Sequence, residues 1–183
     1  MAIAANLLVI ALEAVGLYIS ASAKKWRILA FYTQLSNLCA LLSSAVFLCA
    51  QGSAAATALR YLSSCMLTMT FLITTLVLVP MGGGAKRLLL SGNGPYHHVL
   101  CPILSVASYL AWEPRIADPR LIALPGFLTL AYGGVMLYLN AARIYDGPYP
   151  FFRVYNQSRA ATALWMAALL ALISGIGYAL YVA

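Results

Sequence analysis

Two short stretches carry the side chains whose types and spacing suit nucleophilic and acid–base chemistry. FYTQLSNL, residues 31–38, places Thr33, Gln34 and Asn37 at the start of a segment that is otherwise apolar through Ala50. Thr33 and Asn37 are four apart and share a helix face, and Gln34 joins them at a spacing of three. GPYHHVLCP, residues 94–102, holds His97 and His98, the two histidines of the chain. Imidazole is the usual base for activating a hydroxyl near neutral pH. One reading therefore makes Thr33 a nucleophile, a histidine its base, and the Gln34 and Asn37 amides oxyanion donors. The other reading is packing, in which threonine bonds its own helix and the amides bond a neighbouring one. Packing is the better account of any one of these residues alone; their clustering with histidines at one depth brings the two readings level.

Further candidates lie outside these stretches. Glu13 sits within an apolar run, where a carboxylate is costly unless protonated or paired. A histidine or Arg143 would serve as its partner. Tyr138 and Asn140 fall near the end of a later apolar run at the same expected depth. Asp146, in DGPYP, reads as a turn residue. HHxxC lacks a third and fourth ligand at useful spacing, so no metal site is expected. Cys39, Cys49, Cys65 and Cys101 all lie in apolar runs without CxxC spacing and read as packing residues. MGGGAKR, residues 81–87, lacks the order of a phosphate loop, and no apolar run carries an interior lysine for a Schiff base. No cofactor is expected.

The elements that must position these residues follow from composition. The chain has 183 residues, 63% hydrophobic and 8% charged. Soluble domains carry about a quarter charged residues, so the sequence reads as an integral membrane protein. A net charge of +7 could suggest nucleic acid, but the charges sit near segment ends and read as topology signals instead. Six runs approach the roughly 20 residues needed to cross hydrocarbon. They cover about 3–20, 28–50, 61–81, 96–112, 121–143 and 162–182 of a single domain, 1–183. The expected fold is all-α, a six-helix transmembrane bundle; the period-two alternation of a barrel is absent.

Six spans would put Lys24, Lys25, Arg27, Lys86, Arg87, Arg143, Arg153 and Arg159 on one side, and Arg60, Arg115 and Arg120 on the other. Eight basic residues against three place the first side in the cytoplasm and the termini outside. Thr33, Gln34, Asn37, His97, His98, Glu13, Tyr138 and Asn140 then share the cytoplasmic half. Polar side chains in a membrane face the bundle interior or a wet cavity, so one polar pocket opening toward that leaflet is expected. The outer half offers mainly Tyr109, Trp112 and Glu113, read as interfacial, and no polar trail across it. The hydroxyls of the third run, from Ser63 to Thr75, read as helix packing.

FYTQLSNL, YHHVLCPILS and DGPYPFF together resemble motifs of bacterial six-helix proteins of the Pr6Pr type. These are similar in turn to the androgen-induced and androgen-dependent membrane proteins of eukaryotes. The motifs cover about a fifth of the chain, in matching order. The resemblance implies a threonine hydrolase of the bacterial cell membrane that cleaves fatty-acid esters of hydroxy fatty acids with one Thr and one His. The threonine corresponds to Thr33. Counting back five from Pro102, the eukaryotic spacing, gives His97; counting back four, the bacterial spacing, gives His98. The first spacing is preferred, and TQLSN departs from the eukaryotic residues around the threonine.

The leading expectation is thus a membrane-embedded hydrolase of lipid esters, with Gln34, Asn37, Asn140, Tyr138 and Glu13 as pocket residues. Its rivals are a non-catalytic lipid or amphiphile binder and a small transporter relaying protons through Glu13 and histidine. The hydrolase reading predicts Thr33 Oγ1 within hydrogen-bond reach of one histidine, or one water away. That histidine should share a cavity with Asn37, and the second should turn toward headgroups or the loop before the last helix.

Overall fold

The structure is a computed structural model that describes residues 1–183 apart from the side chains of Lys24 and Trp26. Lys24, one of the basic residues in the orientation argument, thus has its side chain outside the described residues. Its regular structure is all helical, with no strand among the described residues. Its α-helices are α1 (Ala2–Lys24), α2 (Tyr32–Cys49), α3 (Ala54–Ile73), α4 (Ala85–Leu89), α5 (Cys101–Trp112), α6 (Leu124–Ala141) and α7 (Arg159–Val182). Five helical stretches are long and apolar enough to cross a membrane: Ala2–Ala23, Tyr32–Cys49, Ala54–Gly83, Pro119–Ala141 and Arg159–Val182. The run expected at 96–112 is helical too but is not among the five. Its regular part, α5, has 12 residues, and a wide helical turn at Pro95–Leu100 carries His97 and His98 into it.

Local chemistry sets these boundaries. Ser53 and Ser158 cap α3 and α7, their hydroxyls accepting from the amides of Ala56 and Ala161. The cap at Ser53 starts the third helix a full turn or more before residue 61, where the apolar run begins. Arg60 is therefore inside α3, not in a loop. At its far end α3 continues as a wide helix over Thr74–Gly83 and stops at a glycine turn with positive φ at Gly82 and Gly84. Pro80 and Pro102 both fall within or just after wide turns. Proline lacks the amide that would close a regular turn, and widening the helix accommodates the loss.

Helices α1, α2, α3 and α5 form a ring in which each touches two neighbours, and the α6–α7 pair leans on α3. At mid-ring Val9, Ala40 and Leu67 are fully buried, with Leu104 packed against them, so each helix supplies one apolar side chain. Polar layers lie on both sides of this one.

The layer toward the start of α1 corrects the expectation for that half of the bundle. Arg60 is fully buried, and its Nε and Nη2 donate to the two oxygens of Glu113 at 2.7 and 3.0 Å. Asn6 Nδ2 and Ser108 Oγ donate to the same carboxylate at 2.9 and 2.6 Å. Arg60 Nη1 reaches Ser44 Oγ at 3.2 Å, and Nη2 reaches the Ser105 carbonyl at 3.3 Å. Glu113 is thus an internal anchor, and Arg60 is no free surface charge. The sequence reading missed the pairing because the two residues lie 53 positions apart and each looked like a loop residue. The available signal was Ser63 and Ser108, hydroxyls one turn from each charge. The hydroxyls of α3 do tie helices together: Ser63 Oγ bonds Ser43 Oγ, and Thr70 Oγ1 bonds Ser36 Oγ, both at 2.8 Å.

Candidate functional site

The opposite polar layer contains the residues the sequence singled out. Helix α2 begins without a side-chain cap from Phe31. The first amides of a helix have no partner within it, and here two tyrosines from distant segments supply one. The Tyr32 amide donates to Tyr132 Oη of α6, and the Thr33 amide to Tyr149 Oη, each at 3.2 Å. Tyr132 Oη donates onward to the Ala30 carbonyl at 2.7 Å. Tyr149 Oη is also 3.2 Å from Thr33 Oγ1. Thr33 therefore hydrogen-bonds a tyrosine, and no hydrogen bond joins it to either histidine among the described residues. The geometry differs from the expectation because one hydroxyl, Tyr149 Oη, serves both the orphan amide and the side chain of Thr33.

Both histidines are nonetheless at the site, in different roles. His97 is fully buried. Its Nδ1 accepts from Gln34 Nε2 at 3.2 Å and Asn93 Nδ2 at 3.1 Å, which places its proton on Nε2. Nε2 lies 3.4 Å from Glu13 Oε2. Gly16 makes this possible: a Cβ there would come within 2.3 Å of Nε2. Asn37 Nδ2 donates to the Thr33 carbonyl at 2.6 Å and also lies 3.4 Å from the His97 carbonyl. The wide turn leaves that carbonyl free, because Pro102, five residues on, has no amide to give it. Asn37 thus bridges the backbones carrying Thr33 and His97.

His98 points elsewhere. Its Nδ1 donates to the Leu88 carbonyl at 2.6 Å, which leaves the lone pair of the neutral ring on Nε2. It lines a cavity of about 730 Å³ together with Thr33, Gln34, Asn93, Tyr149, Arg87 and Arg153. A second, largely apolar cavity of about 50 Å³ also borders Thr33, walled by Met69, Ile73, Phe151, Phe152, Met166 and Leu169 among others. Leu130, which is 52% exposed, also lines it. Thr33, Leu78 and Tyr149 line both cavities.

Two candidates lie away from this junction. Tyr138 is 67% exposed and points outward from α6; its place near the end of the run gave its depth but not its face. Asn140 is buried, yet it braces the following loop, donating to the Asp146 carbonyl at 2.9 Å and accepting from the Val154 amide at 2.8 Å. That brace helps fold residues 149–152 back into the bundle, where Tyr149, Phe151 and Phe152 are all buried. Tyr149 is the site residue that sequence reasoning missed. The pattern DGPYPFF held the clue, since three aromatic rings in a loop need somewhere to be buried. No group of three or more metal-ligating side chains occurs among the described residues.

Comparison with protein-family models, with curated proteins and with solved structures finds no match to this chain.

Proposed function

We propose that the chain crosses a membrane six times, with its basic loops in the cytoplasm, and hydrolyses acyl esters at Thr33. The observation that carries this reading is the position of Thr33, whose side chain stands where a polar cavity meets an apolar one. An amphiphile with its chain in the apolar slot and its head in the polar cavity would present its ester linkage there. Leu130, an exposed residue, is part of the slot's lining, and a longer chain leaving past it would continue into the surrounding lipid.

In this mechanism His98 Nε2 takes the proton of Thr33, and Thr33 Oγ1 attacks the ester carbonyl. The tetrahedral oxyanion forms beside the first turn of α2, where the helix dipole favours negative charge. Collapse of this intermediate expels the alcohol, which takes the proton from His98, and leaves an acyl-threonine. A water, deprotonated by His98, then attacks that ester, and Thr33 regains its proton as the acid departs. His97 acts through the backbone and amides: held by Gln34, Asn93 and Glu13, it fixes the wide turn that presents His98.

Turnover of p-nitrophenyl octanoate by protein purified in a neutral detergent tests the reading. Thr33→Ala and His98→Gln should each lower turnover by at least about 100-fold with the protein still folded. Unchanged turnover in Thr33→Ala would remove Thr33 as the nucleophile.

The Thr33–Tyr149 hydrogen bond favours a second reading, a binder that holds an amphiphile without cleaving it. Binding of an octanoyl amphiphile with no acid released supports that alternative. A proton path across the bundle is disfavoured by the apolar layer of Val9, Ala40, Leu67 and Leu104 between the two polar layers.

A further inference from the structure

The larger cavity has a charge of its own. Arg87, on α4, and Arg153, in the loop before α7, reach it from separate segments of the chain. No aspartate or glutamate is among the residues lining it. Four of the six other arginines are engaged elsewhere: Arg60 with Glu113, Arg120 with Asp118, Arg115 over the Tyr109 ring and Arg143 over the Tyr155 ring. Arg87 is instead tethered by its Nε, which donates to the Gly83 carbonyl at 3.0 Å. Its Nη1 and Nη2 have no hydrogen-bond partner among the described residues, and neither Arg87 nor Arg153 is in an ion pair there. The tether depends on the glycine turn. A Cβ at Gly83 would fall 2.4 Å from the Leu78 carbonyl oxygen, and Gly82 and Gly84 both have positive φ.

We infer that the cavity binds the phosphate of an acyl phospholipid or lysophospholipid, with Arg87 and Arg153 as its two cationic contacts. Resting on the proposed hydrolysis at Thr33, this assigns the polar side of the substrate. Donor number selects phosphate over carboxylate. A carboxylate has two oxygens and is filled by one bidentate guanidinium. Two guanidinium groups from different segments suit a tetrahedral group with more oxygens to share. The cavity, about 730 Å³, also has room for more than a bare carboxylate. Phosphate groups lie at the membrane surface, the level at which the basic loops of this end would sit.

The test uses the full chain in neutral detergent with three fluorescent probes sharing one labelled acyl chain: a lysophosphatidylglycerol, a monoacylglycerol and a dicarboxylic acid monoester bearing a free carboxylate. Binding is read by fluorescence anisotropy. The phosphate probe should bind at least about tenfold more tightly than either other probe, the contribution expected of one charge-assisted contact. Arg87→Gln and Arg153→Gln should each remove much of that preference, and the double variant should bring the phosphate probe to the affinity of the neutral one. Both side chains are exposed, and the neutral probe's unchanged affinity for each variant reports an intact fold. Equal affinity for phosphate and neutral probes overturns the inference, as does a carboxylate probe that binds as tightly as the phosphate one. Inorganic phosphate at millimolar concentration should compete weakly; competition as strong as that of the unlabelled lysophospholipid would mean a free-anion site and overturn the lipid assignment. Acid release from the probes separates the two proposals. Phosphate preference without release ends the hydrolase reading alone, whereas release with no preference among heads ends this one alone.

Discussion

The hydroxyl of Tyr149 stands 3.2 Å from both the backbone nitrogen and the Oγ1 of Thr33, 116 residues away in the chain. One side chain thus completes the first turn of α2 and engages the Thr33 hydroxyl. Tyr149→Phe retains the ring stacked on Phe151 at 5.2 Å but removes both hydrogen bonds. The loss should cost about 1–3 kcal/mol, the penalty for a buried donor left unpaired, read as a lower unfolding midpoint in detergent. Turnover of an octanoyl ester should fall too, by a smaller factor than in Thr33→Ala. An unfolding midpoint equal to that of the wild type would show that the cap contributes nothing.

Gly16→Ala tests the packing of His97. The added Cβ would lie 2.3 Å from Nε2 and 2.5 Å from Cδ2 of that imidazole, so the ring must leave its place beside Glu13. Overpacking of this kind costs about 1–3 kcal/mol. A thermal shift assay should show the loss, and the partners of His97 Nδ1, Gln34 and Asn93, should lose their hydrogen bonds with it.

The Arg60–Glu113 pair gives a sharper contrast. Arg60→Met alone leaves the carboxylate buried without its cation, and Glu113→Leu alone strands the guanidinium. Either should destabilise by about 3–5 kcal/mol and sharply reduce the yield of folded protein. The double variant should recover much of that loss, because two apolar groups leave no unpaired charge. Yield and unfolding midpoint of all three variants check this. A double variant no better than the singles would mean that the serines and Asn6 around the pair dominate.

Reporter fusions after Met1 and Ala183 distinguish five crossings from six. Six crossings put both ends on one side, and the basic loops make that the outer side. The burial of Arg60 strengthens this bias, since it takes one of the three basic residues of the outer side out of the surface count. Ends on opposite sides would mean that Pro95–Trp112 does not span.

What the sequence disclosed divides along a physical line. The helical segments were legible because apolar runs of that length leave few alternatives. The clustering of Thr33, Gln34 and Asn37 was legible too, because helical periodicity fixes which residues share a face. That Asn37 and Gln34 both meet His97 follows from two helices entering at one depth. The face of Tyr138 was not legible, since a residue near a helix end gives its depth more readily than its direction. Nor was the hydroxyl partner of Thr33, because it depends on a loop folding back over 116 residues of chain separation. Arg60 was misplaced for a simpler reason: a charge at the edge of an apolar run looks like a boundary, and Ser53, which sets the true one, lies seven residues earlier.

The capping of α2 by Tyr132 and Tyr149 also has a bearing on the order of assembly. During synthesis Thr33 emerges more than a hundred residues before Tyr149. Until α6 and the loop after it arrive, the first amides of α2 lack these partners, and the wall between the two cavities lacks its aromatic side. A nascent chain therefore carries the nucleophile of the proposed reaction without a finished place for it to act. Reactivity at Thr33 would be a late property, acquired when the last third of the polypeptide closes over the first, and half-made chains in the bilayer would be chemically silent toward the lipids around them.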